Sequence, residues 1–303
     1  MAFSLQHRCG VTYVVSDALL SRHAFSTRMG GVSTLPHTAS LNLAYGRGDE
    51  DAVVRENLAR LAKAVGFNSQ SVISGPQLHG RLVHLVNASH RGMGYDRPAE
   101  AMAGDGYVTS DPTVVAGVKT ADCTPILLEA RCNGIPIAVA ALHAGWKGTT
   151  FDIVGVGVSR LCAAASAVRA SDAGASAAGA SAAGASGAMA SEVTIHAAIG
   201  PCIHACCFEV QEDCLTVVRE RLGAMAEDFM IRTSARTGVR TTLDLPGLNR
   251  ALLLRAGVPA AHIDICPDCT ACHTELYYSH RAQKGMRGTM LSMITLGGTG
   301  KNE

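Results

Sequence analysis

Three short segments of this 303-residue chain concentrate side chains that can bind a metal or move a proton. They are Gln77-Leu78-His79-Gly80, Thr120-Ala121-Asp122-Cys123-Thr124-Pro125 and Ala140-Ala141-Leu142-His143-Ala144-Gly145-Trp146-Lys147-Gly148. Imidazole nitrogen and thiolate are ligands that zinc prefers, and three protein ligands leave a fourth tetrahedral position for water or substrate. His79, Cys123 and His143 therefore form a candidate catalytic zinc site, where a bound ion brings the pKa of its water to about 7. Asp122, beside Cys123, is expected to orient a ligand or a water from behind.

The same residues have a plainer reading. A cysteine on an apolar strand is usually a small core residue, and a lone histidine is usually just hydrogen-bonded. Separations of 44 and 20 residues form no compact zinc-finger pattern. A second cluster looks more obvious: Cys266-Pro267-Asp268-Cys269-Thr270-Ala271-Cys272-His273 contains CxxC twice, and its CTACH matches c-type haem attachment. Haem attachment requires export, and Met1 to Arg8 show no basic region leading into an apolar one. Structural zinc there needs four ligands close together. The cluster therefore reads as ordinary thiols, as do Cys202 and the pair Cys206-Cys207, with structural zinc as the alternative.

Each of the three segments lies at the edge of an expected strand, where a rigid sheet can present side chains to a cleft. Residues 82–86, 114–119, 124–129 and 135–142 are rich in Val, Ile, Leu and Ala and read as strands buried on both faces. Residues 193–199 and 289–296 read as further strands. Residues 49–66 have the apolar spacing of an amphipathic helix with Asp49 as N-cap. Helices are also expected at 148–162, 209–226 and 244–256, the last started by Asp244. This order implies an α/β or α+β layered sandwich with a large mixed sheet, in one domain spanning 1–303. Residues 163–191 are nearly all Ala, Ser and Gly without an amphipathic stripe, and read as a disordered insertion.

Composition narrows the function. Net charge is +1, and aromatics make up 4% of the chain, so neither an electrostatic nor a stacking case exists for nucleic acid. No run of about 18 apolar residues is seen, so no membrane span is expected. Eleven cysteines, an odd number, suit free thiols in a reducing, cytoplasmic setting. No GxGxxG follows a strand and no GxxxxGK[ST] occurs, which leaves the common dinucleotide and P-loop sites without support. The sequence specifies no oligomeric state.

Taken together, the motifs resemble the laccase-domain family, whose members are called multicopper polyphenol oxidases, purine nucleoside phosphorylases or, in bacteria, peptidoglycan-editing factors. The resemblance runs through Phe25-Ser-Thr-Arg28-x-Gly-Gly-Val-Ser33, Leu41-Asn42-Leu43, Gly48-Asp49, the three segments above, Gly200-Pro-Cys202-Ile203, Phe208-Glu209-Val210, Asp244-Leu245, Cys269-Thr270 and Ser279-x-Arg281. It implies that His79, Cys123 and His143 are the zinc ligands. It also implies phosphorolysis of adenosine, inosine, guanosine and methylthioadenosine to free base and ribose 1-phosphate, with adenosine deamination as a second activity. Two alternatives stand beside it: a copper-dependent polyphenol oxidase, and a cysteine hydrolase or peptidoglycan-precursor editing amidase using Cys123 with His143 as base. The copper reading meets twelve scattered histidines with no His-x-His pair.

For phosphorolysis a phosphate must be held close to the sugar, and arginine forks suit its geometry. Arg28, in a Gly-rich turn, Lys147 and Arg281 are the cationic candidates. Asn42 is expected to hydrogen-bond phosphate or ribose, and Trp146, the only tryptophan, to stack on the base. The chain departs from the family near its end: Arg281-Ala282 stands where paired arginines are usual, with His280 in place of an aromatic. The usual Gly-Arg reads Gly288-Thr289, with Arg287 shifted.

Overall fold

The computed structural model describes residues 2–177, 193–235 and 238–299. In chain order the strands and α-helices are β1 (Phe3–Arg8), β2 (Val11–Ser16), β3 (Ser21–Ser26), α1 (Asp51–Val65), β4 (Val72–Ile73), β5 (Val83–Leu85), β6 (Gly106–Thr109), β7 (Val115–Thr120), β8 (Thr124–Cys132), β9 (Ile135–Ala144), α2 (Trp146–Thr150), α3 (Ile153–Ala177), β10 (Val193–Ile199), α4 (Glu212–Leu222), β11 (Met230–Ala235), β12 (Gly238–Leu243), α5 (Leu245–Arg255), β13 (Ile263–Ile265) and β14 (Met290–Thr299). The expected layered α/β sandwich is present, with twelve strands divided between two six-stranded mixed sheets in the orders β1-β2-β3-β14-β7-β4 and β13-β10-β8-β9-β6-β5, and β11 and β12 forming a separate hairpin.

Period-two alternation explains why the central strands read as continuous apolar runs. On β8, Ile126, Leu128 and Ala130 face one core together with Ala138, Ala140 and Leu142 of β9 and with Val154, Val158 and Leu161 of α3. Leu127, Val139 and Ala141 face the opposite way, into the core shared with Phe25, Val118 and Ile294 of the other sheet. That other sheet turns Tyr13, Val115 and Leu291 outward onto Val54, Leu58 and Leu61 of α1. The layers are thus helix, sheet, sheet, helix. A smaller cluster gathers Leu215 and Val218 of α4, Leu243 and Leu248 beside Trp146 and Phe208. β8 and β9 join through Asn133-Gly134, a two-residue turn with φ of 52° and 81°, the hand that matches strand twist.

Three local readings change. Asp49 does not cap α1; the N-cap is Glu50, which makes no side-chain cap bond. The Asp49 carboxylate instead accepts from Ser33 Oγ, Thr38 Oγ1 and Asn42 Nδ2 and ties down a loop. Helix α3 runs to Ala177 and so takes in the first half of the Ala/Ser/Gly stretch, with Ala164 and Ala165 buried. Alanine's high helix propensity, together with this packing on the sheet, outweighs the scattered Ser and Gly. The rest of that stretch, residues 178–191, lies outside the described residues. Finally, Ile153–Ser171 is long and apolar enough by composition to cross a membrane, contrary to expectation, yet its buried side lies on β8 and β9.

Candidate metal centre

Strand register assembles the trio. β8 and β9 pair antiparallel with Thr124 opposite Ala144 and Pro125 opposite His143, which sets Cys123 beside the end of β9. β6 pairs on the other side of β9, and the His143 amide donates to the Asp105 carbonyl at 2.7 Å. β5 lies parallel to β6, so the loop before it carries His79 to the same corner. The ligand atoms of His79, Cys123 and His143 all lie within 4.8 Å of one another. The two imidazoles meet edge-on, centroids 4.8 Å apart.

Asp105 is the organiser of this corner, and the sequence reading missed it. It is fully buried. Its carboxylate accepts from the amides of Leu78 (3.2 Å), His79 (2.9 Å) and Gly80 (2.8 Å), which fixes the His79 turn. It also accepts from His143 Nδ1 at 2.9 Å. With a carboxylate on Nδ1 that nitrogen carries the proton, and Nε2 keeps its lone pair for a metal. A signal was available: Asp105 is an acid between two glycines just ahead of a strand. Asp122, expected to orient a ligand, does other work. Its carboxylate accepts from Thr270 Oγ1 at 2.7 Å and from the Arg281 amide at 2.6 Å, fastening two C-terminal loops to the Cys123 turn. His79 (φ 55°) and Asp122 (φ 90°) both hold left-handed backbone, a conformation costly for non-glycine residues and concentrated at functional sites.

The electrostatics prepare the donor set. Burial opposes ionisation of the Cys123 thiol, but the two imidazoles outweigh it and bring its pKa down to about 6. Burial likewise opposes charge on His143, but the Cys123 thiolate and Asp105 raise it to about 9, so without a metal the ring holds a proton on each nitrogen and an ion must displace the one on Nε2. Burial disfavours the Asp105 carboxylate, yet its His143 and amide bonds hold its pKa below the ordinary carboxylate range. A thiolate at neutral pH is what a metal requires. Space is kept for the ion as well: a Cβ at Gly145 would stand 3.0 Å from Cys123 Sγ, 3.4 Å from His79 Cδ2 and 3.7 Å from His143 Cε1. The residues present therefore fit a tetrahedral ion with one open position.

Two cavities meet at the trio. One, of about 430 Å³, is lined by His79, Cys123 and His143 and carries Arg47, Lys119 and Arg287. The other, of about 470 Å³, shares His79, Cys123, Arg47 and Arg287 and is walled by Trp146, Ile203, Phe208 and Leu245. Burial, and then the Arg47 charge, lower Lys119 to about 8. The same causes lower Arg287 to about 10, and its Nε is buried without a partner. Three cations thus converge on one wall.

The structure divides the expected substrate residues. Trp146 and Arg281 line the second cavity. Arg28 lines neither: its guanidinium donates to the carbonyls of Ala39 (2.9 and 2.7 Å) and Thr274 (2.8 Å) and lies over Tyr278. Asn42 is fully buried, its amide spent on Ala44, Asp49 and Thr289. Lys147 is exposed over Trp146 and lines neither cavity. Arg47, Lys119 and Arg287 are the cations that line the first cavity. Arg47 sits between Gly46 and Gly48, both with positive φ, in a turn that could have been read as a presented cation.

A sequence model described as "Multi-copper polyphenol oxidoreductase laccase" matches residues 22–183 and 173–297. The chain belongs to this family. Its relatives carry two kinds of name. "Purine nucleoside phosphorylase YlmD" of Geobacillus stearothermophilus is 33% identical over 270 residues, 89% of this chain and 88% of the relative. The crystal structure of YlmD superimposes with a TM-score of 0.79 at 30% identity, covering 98% of this chain and 99% of that one. "Purine nucleoside phosphorylase" of Deinococcus radiodurans is 35% identical over 288 residues, 95% of this chain and 94% of the relative. "Adenosine deaminase RL5", from an unidentified prokaryote, is 31% identical over 259 residues, 85% of this chain and 87% of the relative. Within the laccase-named family, then, the described relatives act on nucleosides.

Proposed function

We propose that the chain is a zinc-dependent purine nucleoside phosphorylase that also deaminates adenosine. The observation that carries the reading is the meeting of three metal-ligating side chains, a cationic cavity and an aromatic-walled cavity at one corner. A purine nucleoside has an apolar base, a polar sugar and, in phosphorolysis, a phosphate partner, and the corner offers a surface for each. Trp146 and Phe208 supply aromatic surface for the base. Arg47, Lys119 and Arg287 supply positive charge for a phosphate dianion, which must lie close to a sugar developing oxocarbenium character. Their mutual repulsion is relieved when an anion binds.

His79, Cys123 and His143 would hold the zinc, and when bound it supplies a Lewis acid with one open position. Asp105 keeps the His143 ring in the tautomer that ligation needs. Asp122 positions the loops carrying Arg281 and Thr270. Adenosine, inosine, guanosine and methylthioadenosine are the substrates, with free base and ribose 1-phosphate as products. Eleven unpaired cysteines support a reducing, cytoplasmic setting. Copper-dependent phenol oxidation is less well supported: among the described residues the two candidate metal groups contain two histidines in all, and multicopper chemistry uses clustered histidines.

The test is product analysis of purified, zinc-loaded protein. Adenine or hypoxanthine should appear from adenosine or inosine only with phosphate present, and inosine from adenosine without it. Release of neither base nor inosine would overturn the proposal, as would phenol turnover that requires copper and oxygen.

A further inference from the structure

A second group of ligand atoms lies outside this site. Cys206, Cys207, Cys269 and Cys272 place their sulfurs within 4.8 Å of one another. Cys207 Sγ is 3.4 Å and Cys206 Sγ 3.6 Å from Cys272 Sγ. Four sulfurs at the usual zinc distance of about 2.3 Å stand roughly 3.8 Å apart around a tetrahedron, whereas a disulfide needs about 2.05 Å. The group is already gathered around a metal-sized space.

The fold brings it together without using the catalytic corner. β10 and β13 are parallel neighbours, with Ala197 opposite Ile263 and Ile199 opposite Ile265. Both chains leave the sheet at the same end, one into the Cys206-Cys207 turn and the other into Cys269-Thr270-Ala271-Cys272. The turns are pinned by the Cys266 amide on the Ile199 carbonyl (2.8 Å) and the Thr270 amide on the Cys202 carbonyl (2.9 Å). The His204 amide donates to Cys269 Sγ at 3.4 Å, and the amides of Ala271 and Cys272 also point at that sulfur. Amides aimed at a sulfur stabilise a thiolate ligand and fix its direction. Cys202 and Cys266 are buried and stay outside the group. The Arg281 guanidinium, on the carbonyls of Cys207 (3.1 Å) and Glu209 (2.8 Å), places a positive charge against the turn.

We propose that Cys206, Cys207, Cys269 and Cys272 bind a second, structural zinc ion as a closed four-thiolate site. The ion clamps the 204–208 and 269–272 turns together, and those turns carry Phe208 and the Thr270 partner of Asp122. The proposal does not depend on the reaction assigned to the first site.

The test counts metal in full-length protein purified under reducing conditions with zinc supplied. Wild type should hold two zinc ions per chain, and Cys206→Ser/Cys272→Ser one. His79→Ala/Cys123→Ala should retain one ion, with an all-sulfur shell in X-ray absorption and, after cobalt exchange, strong thiolate charge-transfer bands. The second variant decides the matter if the first fails to fold. Equal zinc in wild type and the Cys206→Ser/Cys272→Ser protein, no zinc in His79→Ala/Cys123→Ala, or a disulfide among the four cysteines would each overturn it.

Discussion

His79, Cys123 and His143 reach one another from two loops and the end of β9, separated by 44 and 20 residues, whereas Cys206, Cys207, Cys269 and Cys272 come from two turns that leave neighbouring parallel strands. The first group has three donors, a buried carboxylate behind one of them and cavities on its open side. The second has four donors of one kind, none of which lines either cavity. Three ligands leave room for a reactant; four close the shell. What separates the two regions is donor number and the space around the donors, since cysteine serves both.

The sharpest way to break the comparison is to delete one donor from each. His143→Ala should cost the first site its metal and lower kcat/KM for inosine by about 10³-fold, a transition-state loss of several kcal/mol typical of Lewis-acid sites. Cys272→Ser should keep the metal of the first site and lower the thermal midpoint, and any loss of kcat/KM should fall on KM and stay well below that of His143→Ala, because the loosened turn carries Phe208. Should both variants lose activity alike, the distinction between reaction centre and clamp collapses. A finer test acts behind the donor. Asp105→Asn keeps size but offers an amide where a carboxylate fixed His143, and partners of this kind contribute about 10–100-fold to metal affinity or activity. Zinc affinity by competition with a chromogenic chelator should fall accordingly, and an unchanged affinity would remove Asp105 from the site.

How much of this was legible in the sequence follows from the same contrast. The trio can be proposed from ligand types at strand edges, but it is the resemblance of the ordered segments to a known family that ranks it above the cysteine cluster; strands such as 124–129 and 193–199 announce themselves by apolar runs. What joins the trio, the β8–β9 register and the Asp105 carboxylate, depends on pairing between distant segments, which periodicity does not encode. Arg28 and Asn42 looked like anion binders because a Gly-rich turn with an arginine suits that role. In the fold the Arg28 guanidinium meets carbonyls and the Asn42 amide meets Asp49. The cations that do face the cavity, Arg47, Lys119 and Arg287, are brought there from three separate elements. The CxxC run reads as ordinary thiols because the cysteines that join Cys269 and Cys272 lie more than sixty residues upstream, beside them only through the β10–β13 pairing.

The smallest expected effect concerns the cationic wall, which the thiol group lacks. Burial first, then Arg47, lower Lys119 to about 8 from a value near 10.5 in the unfolded chain. Below pH 8 the folded protein carries the charge and attracts phosphate; above it the charge is lost. Between pH 8 and 10.5 the unfolded chain binds the extra proton, so this residue's contribution to stability rises with pH there while its contribution to phosphate binding falls. The KM for phosphate should therefore climb about tenfold between pH 7 and 9.5, the scale of one charge-assisted hydrogen bond. Lys119→Met should start at the high value and show a flatter profile. Initial rates across phosphate concentrations check this at each pH. A wild-type KM that stays flat, or a Lys119→Met profile that parallels it, would move phosphate recognition to Arg47 and Arg287 alone.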